Sequence, residues 1–128
     1  MEIKKKILIV DDEIDFLEVI KTRFVANNYH VITASTGEDA LQKFSKENPS
    51  AVILDIMMPG IDGLSVLEKI RRVNKLIPVF ITTAFSNEER FKMANKLNAT
   101  GFILKTDDLK EQVANITEAI KLAEKYKE

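Results

Sequence analysis

Five short apolar runs punctuate the chain: Lys6 to Val10, Tyr29 to Ala34, Ala51 to Leu54, Val79 to Thr82 and Phe102 to Leu104. They are rich in Ile, Val and Phe, and the first, third and fourth carry no polar alternation. That pattern predicts strands covered on both faces. Between the runs, apolar positions recur at helical spacing. Leu17, Ile20 and Phe24 mark one helix, and Ala40, Leu41 and Phe44 a second with Ser35 or Thr36 as N-cap. Leu64, Leu67 and Ile70 mark a third, and Phe91, Ala94 and Leu97 a fourth, with Ser86 as cap and Glu89 three residues on. Leu109, Val113, Ile116, Ile120 and Ala123 place one apolar stripe along the last.

The elements alternate strand and helix five times over. Alternation of this kind predicts an α/β protein with a parallel sheet between two helical layers. Five strands point to the flavodoxin-like, doubly wound order 2-1-3-4-5. No internal repeat, low-complexity tract or linker interrupts the 128 residues, and residues 1–128 read as a single domain without an output domain.

Composition narrows the function classes. Hydrophobic residues make up 45% and charged residues 30% of the chain, a globular balance, and the net charge of −1 gives no global field toward nucleic acid or anionic lipid. The chain has no cysteine, which removes disulfides and thiolate chemistry. No apolar run is long enough to insert in a membrane, and the basic start, Met1 to Lys6, is followed by too few apolar residues for a signal peptide. A cytoplasmic location is expected.

Open α/β sheets bind ligands at the carboxyl ends of their strands, where strand order reverses. In the order 2-1-3-4-5 that place lies between strands 1 and 3. Strand 1 runs into Asp11 and Asp12, strand 3 into Asp55, strand 4 into Thr82 and Thr83, and strand 5 into Lys105. Three converging carboxylates repel one another, so one of them should be held neutral unless a cation intervenes. Oxygen ligands without His or Cys select Mg²⁺, with Mn²⁺ possible, over zinc. Lys105 and the Thr83 hydroxyl would serve an anion beside the metal. No Gly-rich phosphate loop is present, which argues against a bound nucleotide and for a carboxylate that itself carries a phosphoryl group. Each residue alone has a plainer reading: helix cap for Asp11 or Asp12, turn opener for Asp55, surface cation for Lys105, cap for Thr83. Their joint placement at strand ends favours the site. His30, the only histidine, precedes the second strand and reads as surface. Pro49 and Pro78 read as loop punctuation before strands.

Four segments in order carry a resemblance: Ile7-Leu8-Ile9-Val10-Asp11-Asp12-Glu13, Val52-Ile53-Leu54-Asp55-Ile56-Met57-Met58-Pro59-Gly60-Ile61-Asp62-Gly63, Ile81-Thr82-Thr83-Ala84, and Ala99-Thr100-Gly101-Phe102-Ile103-Leu104-Lys105. Over essentially its whole length the chain resembles the response-regulator receiver domain of two-component signalling. The resemblance implies that Asp55 takes a phosphoryl group from the phosphohistidine of a sensor histidine kinase or phosphotransfer protein. It implies Mg²⁺ bound directly by Asp12, Asp55 and the Met57 backbone carbonyl, with Asp11 acting through water. Thr83, which directly precedes the small residue Ala84, and Lys105 would bind phosphoryl oxygens. Phe102 would be the switch aromatic, which moves inward on phosphorylation and reshapes the face of helix 4, strand 5 and helix 5 toward a downstream protein. A monomer or weak dimer is expected, a signalling domain rather than an enzyme.

One feature departs from that pattern. Receivers usually follow the lysine with proline, often cis, whereas Thr106 follows Lys105 here. A cis bond before a non-proline residue costs about 2.5–4 kcal/mol, so either the turn differs or its surroundings maintain the strain. Met57 and Phe85, both apolar, stand where receivers place side chains that flank the water path, which implies slow loss of the phosphoryl group. A phosphatase with an aspartate nucleophile would usually carry a second carboxylate where Met57 stands. A flavin site would be expected to show a cluster of contacting aromatics, and none is apparent.

Overall fold

The computed structural model describes residues 5–58, 62–83 and 88–125. Strands β1 (Lys5–Val10), β2 (Tyr29–Ala34), β3 (Ala51–Asp55), β4 (Val79–Thr83) and β5 (Gly101–Leu104) alternate with helices α1 (Ile14–Ala26), α2 (Gly37–Glu47), α3 (Gly63–Val73), α4 (Glu88–Lys96) and α5 (Leu109–Lys125). All strand pairs are parallel, in the order β2-β1-β3-β4-β5 expected of a flavodoxin-like sheet.

Strand alternation divides the core into two. Leu8, Val10, Val52, Leu54, Val79 and Ile81 face α2, α3 and α4, packing on Ala40, Phe44, Leu67, Ile70 and Ala94. Ile7, Ile9, Ile53, Phe80 and Ile103 face α1 and α5, packing on Leu17, Ile20, Phe24, Val113, Ile116 and Ile120. Burial on both faces is why β1, β3 and β4 are unbroken apolar runs. The stripe expected on α5 holds at Val113, Ile116 and Ile120, but Leu109 is 37% exposed. It lies at the first position of the helix and lines the cleft beside Lys105.

Helix ends follow local chemistry. Thr36 caps α2 by accepting from the Asp39 N–H at 3.1 Å. Asp62 caps α3 by accepting from the Leu64 N–H at 2.6 Å, a cap not read from the sequence. Ser86, expected to cap α4, lies outside the described residues. Asn28, Asn48 and Asn98 have φ of 69°, 51° and 64° and lie just after α1, α2 and α4. Asparagine tolerates this left-handed conformation, so it ends these helices where glycine often would. His30 is an exposed residue within β2 rather than before it.

At the opposite end of the sheet from the candidate site, the Tyr29 hydroxyl donates to Glu124 Oε1 at 2.9 Å, and Lys5 lies 3.5 Å from the same carboxylate. Burial, followed by the hydrogen bond to Glu124 and its charge, pushes the Tyr29 phenol up to about 12. The fold therefore prefers the neutral phenol. The unfolded chain loses that proton from about pH 10, so this contribution to stability falls as pH rises from 10 toward 12. Tyrosinate absorbance should show a late ionisation near pH 12 that Tyr29→Phe removes. Identical alkaline titrations of the two proteins beyond one missing ordinary tyrosine would contradict this.

Candidate functional site

The site residues stand at the strand ends or within two residues beyond them, where the sheet's hydrogen-bond ladder still holds much of the backbone. Asp11 N–H donates to Ala34 O at 3.0 Å, Ile56 N–H to Thr82 O at 3.3 Å, and Lys105 N–H to Thr83 O at 2.8 Å. Asp55 is the last residue of β3. Carboxylate oxygens of Asp11, Asp12 and Asp55 lie within 4.8 Å of one another, at the switch point between β1 and β3.

Asp11 and Asp55 are buried and oriented in the same way. Oδ1 of each accepts a backbone N–H two residues on: Glu13 N–H to Asp11 and Met57 N–H to Asp55, both at 2.9 Å. Oδ2 of each faces Lys105, whose Nζ lies 2.7 Å from Asp11 and 2.9 Å from Asp55. The Asp55 contact is a hydrogen bond. The Asp11 contact is an ion pair, and among the described residues Asp11 Oδ2 has no hydrogen-bond partner. Lys105 is 12% exposed, with Glu13 Oε1 at 3.4 Å and the Phe16 ring centroid at 5.8 Å. It is not a solvated surface lysine.

The electrostatics follow from burial and pairing. Burial alone would lower the Lys105 ammonium, but the close contacts and negative charge of Asp11 and Asp55 outweigh it and hold the group above its ordinary range. Asp11 is held above the usual carboxylate range chiefly by burial, which its contacts with Lys105 and the Glu13 N–H do not fully offset. Repulsion from Asp55 is the smallest cause. The shift at Asp11 has the direction expected of crowded carboxylates, but desolvation rather than crowding is its main cause.

The donor set fits a hard divalent cation: three carboxylates, two of them buried, one exposed at Asp12, with no nitrogen or sulfur ligand. Met57 lies on the loop after Asp55 and is half-exposed. An open cleft of about 550 Å³ adjoins Lys105, lined by Glu13, Asp15, Phe16, Asp107 and Gln112 among others.

Both threonines at the end of β4 are buried. Thr82 is in register with Asp55 and shares the α1/α5 face with Phe80, while Thr83 pairs with Leu104 on the face of Ile81. Phe102 is 40% exposed and stacks edge-on against Phe91 of α4, with centroids 4.9 Å apart at 90°. It is not a core aromatic here. All peptide bonds among the described residues are trans, so the bond from Lys105 to Thr106 needs no cis strain. The Thr106 hydroxyl instead donates to Asp108 O at 2.9 Å in the turn into α5. Phe85 and Ala84 lie outside the described residues, as do Pro59, Gly60 and Ile61.

Sequence reasoning missed Gln112, a buried amide on α5, because it interrupts no apolar period. It also missed Arg90 of α4, which donates to Asp62 Oδ2 at 3.0 Å and to Ile56 O at 3.3 Å. The 28 and 34 residues separating these partners leave no local signal.

A parallel doubly wound sheet with buried carboxylates and a lysine at its switch point places the chain among the α/β proteins that gather their ligand-binding groups at the carboxyl ends of their strands. Residues 7–120 match the model of the response regulator receiver domain, and the chain belongs to that family. It is 38% identical to a probable transcriptional regulator, ycf27, of Pyropia yezoensis, over 95% of this chain and 50% of that protein. It is 32% identical to the alkaline phosphatase synthesis transcriptional regulatory protein PhoP of Bacillus subtilis, over 94% of this chain and 50% of that protein. The chain thus spans about half the length of these relatives. A CheY-like receiver domain protein from Methanospirillum hungatei superposes with a TM-score of 0.85 at 26% identity, covering 98% of this chain and all (100%) of that one. The chain is a receiver of two-component signalling with a CheY-like fold. No described helix is long and apolar enough to cross a membrane.

Gly63 sets how closely α3 approaches Asp55. A Cβ there would meet Asp55 O and Ile56 Cα, each at 2.5 Å. Both are backbone atoms that cannot swing aside, so Gly63→Ala should cost roughly 1–3 kcal/mol, the usual range for overpacking. Urea unfolding checks this, and an unchanged midpoint would show that α3 can back away freely.

Proposed function

We propose that this receiver accepts a phosphoryl group on Asp55 from a phosphohistidine of a sensor histidine kinase or phosphotransfer protein, with Mg²⁺ as cofactor. The observation that carries the reading is the convergence of Asp11, Asp12 and Asp55 oxygens within 4.8 Å, with Lys105 Nζ 2.9 Å from Asp55. An Asp55 carboxylate oxygen forms the new bond to phosphorus while the P–N bond to the donor imidazole breaks; the imidazole leaves with the electron pair of that bond and is neutral because its other ring nitrogen already carries a proton. Met57 N–H holds Asp55 Oδ1 and so orients the carboxylate before attack. Lys105 neutralises charge on the incoming phosphoryl oxygens, a task suited to a cation already held among carboxylates. Thr83 is the hydroxyl that follows the phosphoryl group. Asp12, Asp55 and the Met57 carbonyl would hold the metal, with Asp11 acting through water. When bound, Mg²⁺ supplies positive charge to the transferring group.

The open cleft reaches Lys105, the partner of Asp55, and the donor would approach from that side. Output would come from the face of α4, β5 and α5, where Phe102, Leu104 and Leu122 are exposed. Apolar Met57 has no group to orient a hydrolytic water, consistent with a long-lived mark.

Incubation with a small phosphodonor and Mg²⁺ should add one phosphoryl group, mapped by peptide mass to Asp55, and Asp55→Asn should take none. Modification elsewhere, or none in the wild type, would refute the assignment.

Asp12→Ala should weaken Mg²⁺ binding by more than the roughly 10–100-fold that loss of an outer-shell partner costs, because it removes an exposed, direct ligand. Titration followed by NMR reads this, and unchanged affinity would overturn the metal assignment.

A further inference from the structure

One peptide unit links Arg90 to the acceptor. The Ile56 carbonyl accepts from Arg90 Nη2 at 3.3 Å, and the N–H of that same peptide, on Met57, donates to Asp55 Oδ1 at 2.9 Å. The peptide is planar and rigid, so holding its oxygen sets the direction of its N–H. A cation on the oxygen also polarises the amide and strengthens the N–H as donor. Arg90 is itself held by Asp62 Oδ2 at 3.0 Å, while Asp62 Oδ1 caps α3.

We propose that Arg90 is a positioning residue for the phosphoacceptor: through the Ile56–Met57 peptide it sets the orientation of the Asp55 carboxylate and ties that orientation to α4. Among its described residues, α4 buries only Ala94. A polar link is therefore a substantial part of what joins this helix to the loop. The inference rests on Asp55 being the acceptor.

The test compares the full chain with Arg90→Lys, Arg90→Ala and Asp62→Asn. In unphosphorylated protein, the Met57 amide proton should move upfield in Arg90→Ala and less in Arg90→Lys and Asp62→Asn. At saturating Mg²⁺, the phosphorylation rate from phosphoramidate should fall roughly tenfold in Arg90→Ala, as for about 1.4 kcal/mol of lost orientation, with partial rescue by Arg90→Lys. An unmoved Met57 amide overturns the proposal, as does a moved amide with an unchanged rate. A slower rate with lost amide protection in α4 and an unmoved Met57 amide would mean that Arg90 only anchors the helix, which also overturns it. Should the wild type take no phosphoryl group, the proposed function fails, and the amide comparison alone decides whether Arg90 sets the peptide.

Discussion

The ammonium of Lys105 sits between Asp11 and Asp55, two buried carboxylates that would otherwise face each other across the switch point. Removing such charges from water is costly, and taking one partner from a buried pair typically costs about 3–5 kcal/mol because the other is left uncompensated. The arrangement divides the work of each carboxylate. Oδ1 closes its own loop through a backbone N–H, and Oδ2 meets the lysine. The loops after β1, β3 and β5 are thereby locked to one cation. A new charge at this point would act on all three loops at once, which is what the proposed phosphorylation switch requires.

Rigidity is unevenly distributed around that point. Helices α1, α3 and α5 each bury several side chains against the sheet, whereas α4 buries Ala94 and touches β5 through the contact of Phe91 with Phe102. Segments with little apolar burial move at low free-energy cost. The α4–β5 edge is therefore where rearrangement at Asp55 can be expressed with least loss of packing. Phe102, held outward against α4, stands on that edge. In this conformation it does not pack in the core.

Burial on both faces made β1, β3 and β4 legible as continuous apolar runs, and their boundaries differ from the expected ones by at most a residue. The candidate site was legible for the same reason. Once strand order is known, the residues that follow the strands must share one edge, and Asp11, Asp12, Asp55 and Lys105 do. Helix ends were less legible, since Asn28, Asn48 and Asn98 act through backbone conformation and not through any hydrophobic pattern.

Strand and helix type, layer order and the chemical kinds of residue at the site were determined by the sequence alone, because periodic burial is a local property of the chain. Tertiary structure decided the rest. It placed Lys105 on Asp55 across 50 residues of chain, assigned each carboxylate oxygen its partner and put burial ahead of repulsion at Asp11. It left Leu109 outside the stripe, turned Phe102 outward and brought Arg90 to the peptide beside Asp55. These features depend on distances and angles between residues remote in sequence, where a shift of an ångström makes or breaks a hydrogen bond. No local pattern of residue types encodes a distance of that kind.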